Sequence, residues 1–502
     1  MTPPVSAPAA VPPSYLAVDL GASSGRAVLG TLGGGGRMTT CEVHRFPTPL
    51  VEDAGRLLWD VDALWAEVRT GLARALAEAP ALRAVSVDSW AVDYVPLDAA
   101  GRALRRPYAY RDPRTRGRLA EAVRRAGGAD ALYARTGIQF LELNTLVQLV
   151  AELEDEPETV ARTASRLLVA DYLLYRLCGL ARAERTMAST TQLLDARTGD
   201  WAADLIRAAG DDPARWPRLV APGTVHGPVR PDALPHAWPD ASRPAPVAVA
   251  TCAHDTAAAV AAVPAAGDRP WAYISSGTWS LVGAERAAPL LTAAAREAGF
   301  TNEAGLDGTI RFLKNRTGMW VLEECVRAWA AAGRRTAWDA LFAAAAAEPS
   351  PGFVLDLDAP AFGARGDMPA VVADACRALG HAPPATPAAL ARLVLESLAA
   401  GHARTLDELE ALTGERAAVV HVVGGGARNA LLNQLTADAC GRSVAAGPAE
   451  ATALGNLLVQ ARALGDLPAG VSVREAARRS ADVRTYAPAP ESAARAPLAL
   501  AR

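Results

Sequence analysis

Apolar residues open the chain in short blocks, and the spacing inside the blocks changes along it. YLAVDL (15–20) and RAVLGTL (26–32) are β-rich runs separated by a few small residues, which predicts a hairpin. CEVHRFP (41–47) is a third strand candidate. The period then shifts. Val61, Leu64, Trp65, Val68, Leu72 and Leu76 fall on one face of a 3.6-residue helix, and Asp60 stands where it can cap the start. AVSVDSWAVDYVPLD (84–98) reads strand, acid, turn, strand. The first hundred residues therefore follow an α/β order.

The second half repeats the theme. WAYISSGTWSLVGAE (271–285) is a strand, a small polar turn and another strand. Thr386 as N-cap, Pro387 at the first helical position and Gly414 just past the end frame 27 residues, about 40 Å of helix. AAVVHVVGGG (417–426) is a buried strand running into a glycine turn, and ARNALLNQLTADAC begins another helix. Two similar halves predict two related α/β domains with the divide near 256–270. The expected organisation is a tail at 1–13, a first domain at 14–260, a second at 261–485 and a tail at 486–502.

The 502 residues carry a net charge of −3, and such a length suits two to four domains at about 100–200 residues each. No run of Lys and Arg forms a nucleic-acid footprint, since RDPRTRGR (111–118) is broken by an acid and a proline. Lys314 is the only lysine in a chain rich in Ala, Arg and Pro, which reads as coding bias. Six cysteines are scattered singly, without CxxC or His/Cys spacing, so no zinc site is expected and the thiols read as reduced and cytoplasmic. MTPPVSAPAAVPP lacks the basic and apolar regions of a signal peptide. No uninterrupted apolar run reaches the ~18 residues of a membrane span. Oligomeric state leaves no mark in the sequence.

Chemistry enters with DLGASSGR (19–26). Small residues let backbone N–H groups approach an anion, the serines add donors, Arg26 adds a cation, and Asp19 suits a hard cation such as Mg²⁺. A plain tight β-turn is the other reading. SSGTWS offers a second small polar turn, and VVGGGARN a third, where a strand meets a helix start. Asp255 lies in the apolar stretch VAVATCAHDTAAAVAA, as a cap beside His254 or as a working acid. A Walker A loop is absent, as are the HRD and DFG signatures of protein kinases.

DLGASSGRAVLG, SVDSWAVDYVPLD, YAYRDPRT, TGIQFLELNTLVQL, ADYLLYRLCG, ASTTQLLD, AHDTAAAV, YISSGTWSLVG, LKNRTGMWVLEE, HVVGGGARNALLNQLTADACG and EATALGN follow one another over residues 14–460. In that order they resemble the FGGY carbohydrate kinases, most of all the rhamnulokinase group. The resemblance implies two ribonuclease-H-like domains of the actin/hexokinase type around a cleft. It also implies transfer of the γ-phosphoryl of ATP, with Mg²⁺, to the 1-hydroxyl of L-rhamnulose. It makes Asp255 the base, Asp19 the metal-orienting acid, and Ala22, Ser23, Ser24, Gly25 and Arg26 the ATP-phosphate turn. Thr278 becomes a phosphate contact and Gly425 an adenosine-side contact, while His254, Thr256 and Asn315 become sugar contacts. Trp90 and Asp93 either face the cleft or are a buried Trp with a turn Asp. Tyr110, Arg111 and Asp112 are either sugar-facing or a surface ion pair.

Three residues depart from the pattern. Ala91 replaces a substrate-contacting glycine, and one methyl group is worth about 1–3 kcal/mol of discrimination. Glu323 stands at an ATP contact where a relative has Gln, and Glu142 stands at an apolar position. The alternatives are a kinase for another ketose such as L-fuculose or L-xylulose, a catalytically silent sugar-binding relative, and an actin-like filament or chaperone ATPase.

Overall fold

A computed structural model describes residues 11–234, 244–267 and 269–490. The stretches 1–10 and 491–502, which fall in the expected tails, lie outside the described residues. The first half is built on β1 (Ser14–Leu20), β2 (Ser24–Leu32), β3 (Met38–Pro47), β4 (Leu82–Ser89), β5 (Thr224–Pro228) and β6 (Val247–Ala250), in the order β5-β6-β4-β1-β2-β3. The second half is built on β7 (Trp271–Ser276), β8 (Trp279–Arg286), β9 (Thr301–Ala304), β10 (Ile310–Thr317), β11 (Val419–Val423), β12 (Ser443–Ala446) and β13 (Arg484–Tyr486), in the order β9-β10-β8-β7-β11-β12-β13.

The two sheets share one plan. β1 runs antiparallel to β2 and β2 to β3, while β1, β4 and β6 are parallel. In the same way β7 runs antiparallel to β8 and β8 to β10, while β7, β11 and β12 are parallel. The central strands are covered on both faces, so β1 reads as a continuous apolar run. Its Leu16, Val18 and Leu20 pack with α1 (Val61–Glu78) and α2 (Val169–Cys178). Its Tyr15 and Ala17 pack with α3 (Asp255–Ala261) and a helix from the second half.

α1 follows its pattern: Val61, Leu64, Val68, Leu72 and Leu76 are buried, and Asp60 Oδ1 accepts from Ala63 N at 3.1 Å. Trp65 stays half-buried, under the guanidinium of Arg176. α5 (Pro387–Thr413) and α6 (Ala430–Cys440) pack on the second sheet, and α4 (Trp320–Ala331) packs on α5. Gly414 ends α5 in the left-handed region at φ 72°.

α7 (Ala451–Ala463) ties the halves together. It lies against the first sheet, where Gln460 Nε2 donates to Leu16 O at 2.9 Å and Asn456 Nδ2 to Asp88 at 2.6 Å. It crosses α3 at Gly455, so closely that an added Cβ would lie 1.9 Å from Ala258 O.

The structure departs from expectation in three places. The strand at Tyr94–Leu97 does not return beside β4 but pairs with Ser165–Leu168. A hairpin of Leu50–Asp53 and Arg56–Trp59 precedes α1, unforeseen from the sequence. Order runs past residue 485, because Tyr486 pairs with Val444 and Ala489 N donates to Asp438.

Candidate active site

The cleft between the halves encloses about 350 Å³. The turn after β1 enters it from one side, with Asp19, Ala22, Ser23, Ser24 and Arg26 on its wall. Thr278 and Gly425 line the opposite wall, and Ala91, His254, Asp255, Thr256 and Asn315 complete it. Two of the expected residues do not line it. Gly25 faces the core, where a Cβ would fall 2.3 Å from Phe46 Cε2, so its glycine is a packing requirement. Glu323 sits behind Thr278, whose hydroxyl is 3.2 Å from both carboxylate oxygens. Burial raises the Glu323 pKa.

The GGG turn explains itself residue by residue. Gly424 (φ 83°) and Gly426 press against Ser276, where a Cβ on Gly426 would lie 2.0 Å from Ser276 Oγ. Gly425 has nothing within 4 Å of that position and leaves bare backbone toward the cleft.

Arg26 is not free to meet a phosphate. Its Nε and Nη2 donate to Asp19 Oδ2 at 2.9 and 2.7 Å. Its Nη1 pairs with Glu450, just before α7, and Glu450 also pairs with Arg428. An ion chain therefore spans the cleft from β1 to the start of α7. Glu450 drew no attention in the sequence, where EATALGN carries no charge pattern that points back to residue 26.

Acid outweighs base here. Asp19 and Asp88 occupy paired positions on the parallel strands β1 and β4, and Asp88 Oδ1 is buried with no partner. Burial, and then the Asp19 charge, push Asp88 well above the usual carboxylate range. The same two causes push Asp255 up to about 7. A divalent cation carried in with a triphosphate fits this surplus of carboxylate. Among the described residues no group of three or more ligating side chains could hold a metal alone, so phosphate and water oxygens would supply most of its shell.

Asp255 stands at the first position of α3 with its side chain 30% exposed. The backbone N–H and hydroxyl of Thr256 both donate to its Oδ1. Asn315, on β10, is set by Gln139 Oε1, which accepts from its N at 3.3 Å and its Nδ2 at 3.1 Å. Its amide oxygen is thereby left for a ligand. Gln139 lines the cleft too, and only its place in the TGIQF block hinted at that.

Trp90 faces the cleft but Asp93 does not. The Asp93 carboxylate accepts from Trp59 Nε1, Trp90 Nε1, Tyr110 N and Gln148 Nε2 at 2.7–3.0 Å. Burial nonetheless pushes it up to about 6. Asp112 is buried likewise, accepting from Leu57 N and Arg114 N. Arg111 stacks on Trp320 of the second half, 4.1 Å from the ring centroid. Glu142 points outward, accepting from Gly117 N at 2.7 Å, so its charge does not enter the cleft.

A cleft like this offers backbone turns to grip phosphates and a carboxylate to aim a hydroxyl. Those are the needs of phosphoryl transfer, and they define a two-domain kinase of the actin/hexokinase type. Residues 14–262 match the N-terminal domain, and 272–464 the C-terminal domain, of the FGGY family of carbohydrate kinases. The chain belongs to that family and is a sugar kinase with ATP as its phosphate donor.

It is 42% identical over 480 residues to a rhamnulokinase of Klebsiella pneumoniae (strain 342), covering 95% of each chain. It is 38% identical over 475 residues to a rhamnulokinase of Bacteroides thetaiotaomicron, covering 95% of this chain and 96% of that one. Among solved structures, a ligand-bound xylulose kinase from Lactobacillus acidophilus superposes with TM-score 0.77 at 16% identity, covering 96% and 95% of the two chains. Plasmodium falciparum glycerol kinase with ADP superposes with TM-score 0.72 at 14% identity, covering 95% and 94%. These two show a shared fold. No helix among the described residues is long and apolar enough to cross a membrane.

Proposed function

We propose that the chain transfers the γ-phosphoryl group of ATP to the 1-hydroxyl of L-rhamnulose, giving L-rhamnulose 1-phosphate and ADP. The observation that carries the reaction type is the placement of Asp255. Its carboxylate opens into the same cleft as the backbone turns at 21–24 and 276–278. The substrate class rests on likeness to rhamnulokinases over 95% of the chain.

The sugar lies against Asn315, Thr256 and the 90–92 loop, with its 1-hydroxyl toward Asp255. The triphosphate lies along Ala22, Ser23, Ser24 and Thr278, with the adenosine against Gly425. As the hydroxyl oxygen bonds to the γ-phosphorus, its proton passes to Asp255 and the bond to the β,γ-bridging oxygen breaks, leaving ADP. A divalent cation such as Mg²⁺, when bound, would neutralise charge on the phosphate oxygens, and Asp19 on the cleft wall, with Asp88 buried behind it, would hold its water ligands. Asp19 also fixes Arg26 and keeps the turn beside it in place.

A coupled ADP assay across L-rhamnulose, L-fuculose, L-xylulose and D-xylulose tests the assignment. The highest kcat/KM is expected for L-rhamnulose. Preference for D-xylulose by a wide margin would remove the substrate assignment and leave the kinase chemistry standing. Ala91 on the pocket wall is the position at which a second ketose would be admitted or refused.

A further inference from the structure

We propose that Arg311 and Glu303, on the second sheet, act through His254 as positioning residues that fix which oxygen of Asp255 takes the proton. The proposal rests on the reading of Asp255 as the base. Arg311 is fully buried, and its Nη2 lies 2.9 Å from His254 Nδ1. Glu303 Oε2 lies farther from the same nitrogen, at 3.4 Å, and a guanidinium has donors only, so Nδ1 is the lone-pair nitrogen of the ring. Burial, and then the Arg311 charge, hold the His254 pKa well below its ordinary value. The ring is therefore neutral with its single N–H at Nε2.

That Nε2 lies 3.3 Å from Asp255 Oδ1. The same oxygen already accepts from Thr256 N and Thr256 Oγ1. Two donors from Thr256 thus converge on Oδ1, and the His254 ring faces the same oxygen. Oδ2 carries none of them and is the oxygen left to receive the sugar proton. Arg311 is itself fixed, by Glu303 Oε2 at 3.0 Å and by donation from its Nε to Ala304 O at 3.1 Å. Glu303 also lines the cleft, but Arg311 does not, so the effect of Arg311 on turnover passes through His254.

The line Glu303–Arg311–His254–Asp255 also crosses from one half of the molecule to the other. The charged pair lies on β9 and β10, and the histidine and the base lie at the start of α3. The sheet that carries the nucleotide-side turn therefore sets the orientation of the acid on the sugar side.

The test measures kcat and both KM values with the ketose that the wild-type chain turns over fastest. Arg311→Met alone would strand a buried carboxylate, so the variant is Arg311→Met with Glu303→Gln, its fold checked by thermal unfolding. Expected is a fall in kcat of about 10- to 100-fold, the cost of a misaimed reacting group, with both KM values within about twofold. His254→Gln keeps an acceptor for Arg311 and a donor for Asp255, whereas His254→Leu keeps neither. The Gln variant should therefore exceed the Leu variant in kcat by about fivefold or more. A folded double variant with wild-type kcat, a loss confined to KM, or equal Gln and Leu variants would overturn the relay. Asp255→Asn at wild-type turnover would instead overturn the base assignment on which it stands.

Discussion

The proposed chemistry rests on one carboxylate oxygen, and its surroundings set how it answers to substitution and to pH. Asp255→Asn keeps the shape of the side chain and removes the proton acceptor. We expect kcat to fall by about two orders of magnitude or more with little change in sugar KM, in a coupled assay with a substrate-binding titration beside it. Burial and the Asp19 charge push the Asp255 pKa up to about 7. A base works deprotonated, so kcat/KM for the sugar should be flat above about pH 7 and fall with unit slope below it. A profile flat down to pH 5 would exclude this carboxylate as the titrating base. Gly25 and Gly425 differ in what surrounds them. One is small because Phe46 is in the way, and the other has open space beside its backbone.

At the scale of elements, the loop after β4 is the part most likened to a site and most governed by packing. Val92 sits at φ 69°, a conformation that strains a β-branched residue. It is held by Thr145 Oγ1 donating to its carbonyl at 2.7 Å and by the four donors gathered on Asp93. Asp93→Ala would leave two indole N–H groups and the Tyr110 N–H without their acceptor, while the Gln148 amide keeps Leu143 O at 3.0 Å. We expect a loss of about 3 kcal/mol or more, read as a lower Tm and denaturation midpoint, before any effect on sugar binding is considered.

The same loop shows where reading the sequence stops. α1 and α5 were legible because their caps and periodicity are local, down to Asp60, Thr386 and Gly414. The pairing of 94–97 with 165–168 was not, because partner choice across about seventy residues has no local signature. Asp93 was visible as an acid in a turn, yet the side it faces depends on where Trp59 and Gln148 come to rest. Arg311 went unremarked because a charged residue within a strand reads as a solvent-facing one, and only the fold puts Glu303 and His254 against it.

For the whole molecule, the two-half reading rested on a repeated strand–turn–strand motif, and the shared order of the two sheets bears it out. What the repeat did not reveal is the join. α7 belongs to the second half in sequence and packs on the first sheet, meeting α3 where Gly455 touches the backbone of Ala258. Gly455→Ala would force the two helices apart, because the atom in the way is a carbonyl oxygen that has no rotamer to change. We expect about 1–3 kcal/mol of destabilisation by calorimetry, together with a fall in kcat larger than the change in either KM. Equal loss for an alanine at Gly363, an open position with ordinary backbone, would show that the crossing is not special.

The crossing of α3 and α7 also bears on how the enzyme can move. Points on a lever travel in proportion to their distance from its fulcrum. Asp255 sits three residues before the contact at Ala258, about one helical turn away. A swing of one lobe about that contact would therefore leave the acid nearly still.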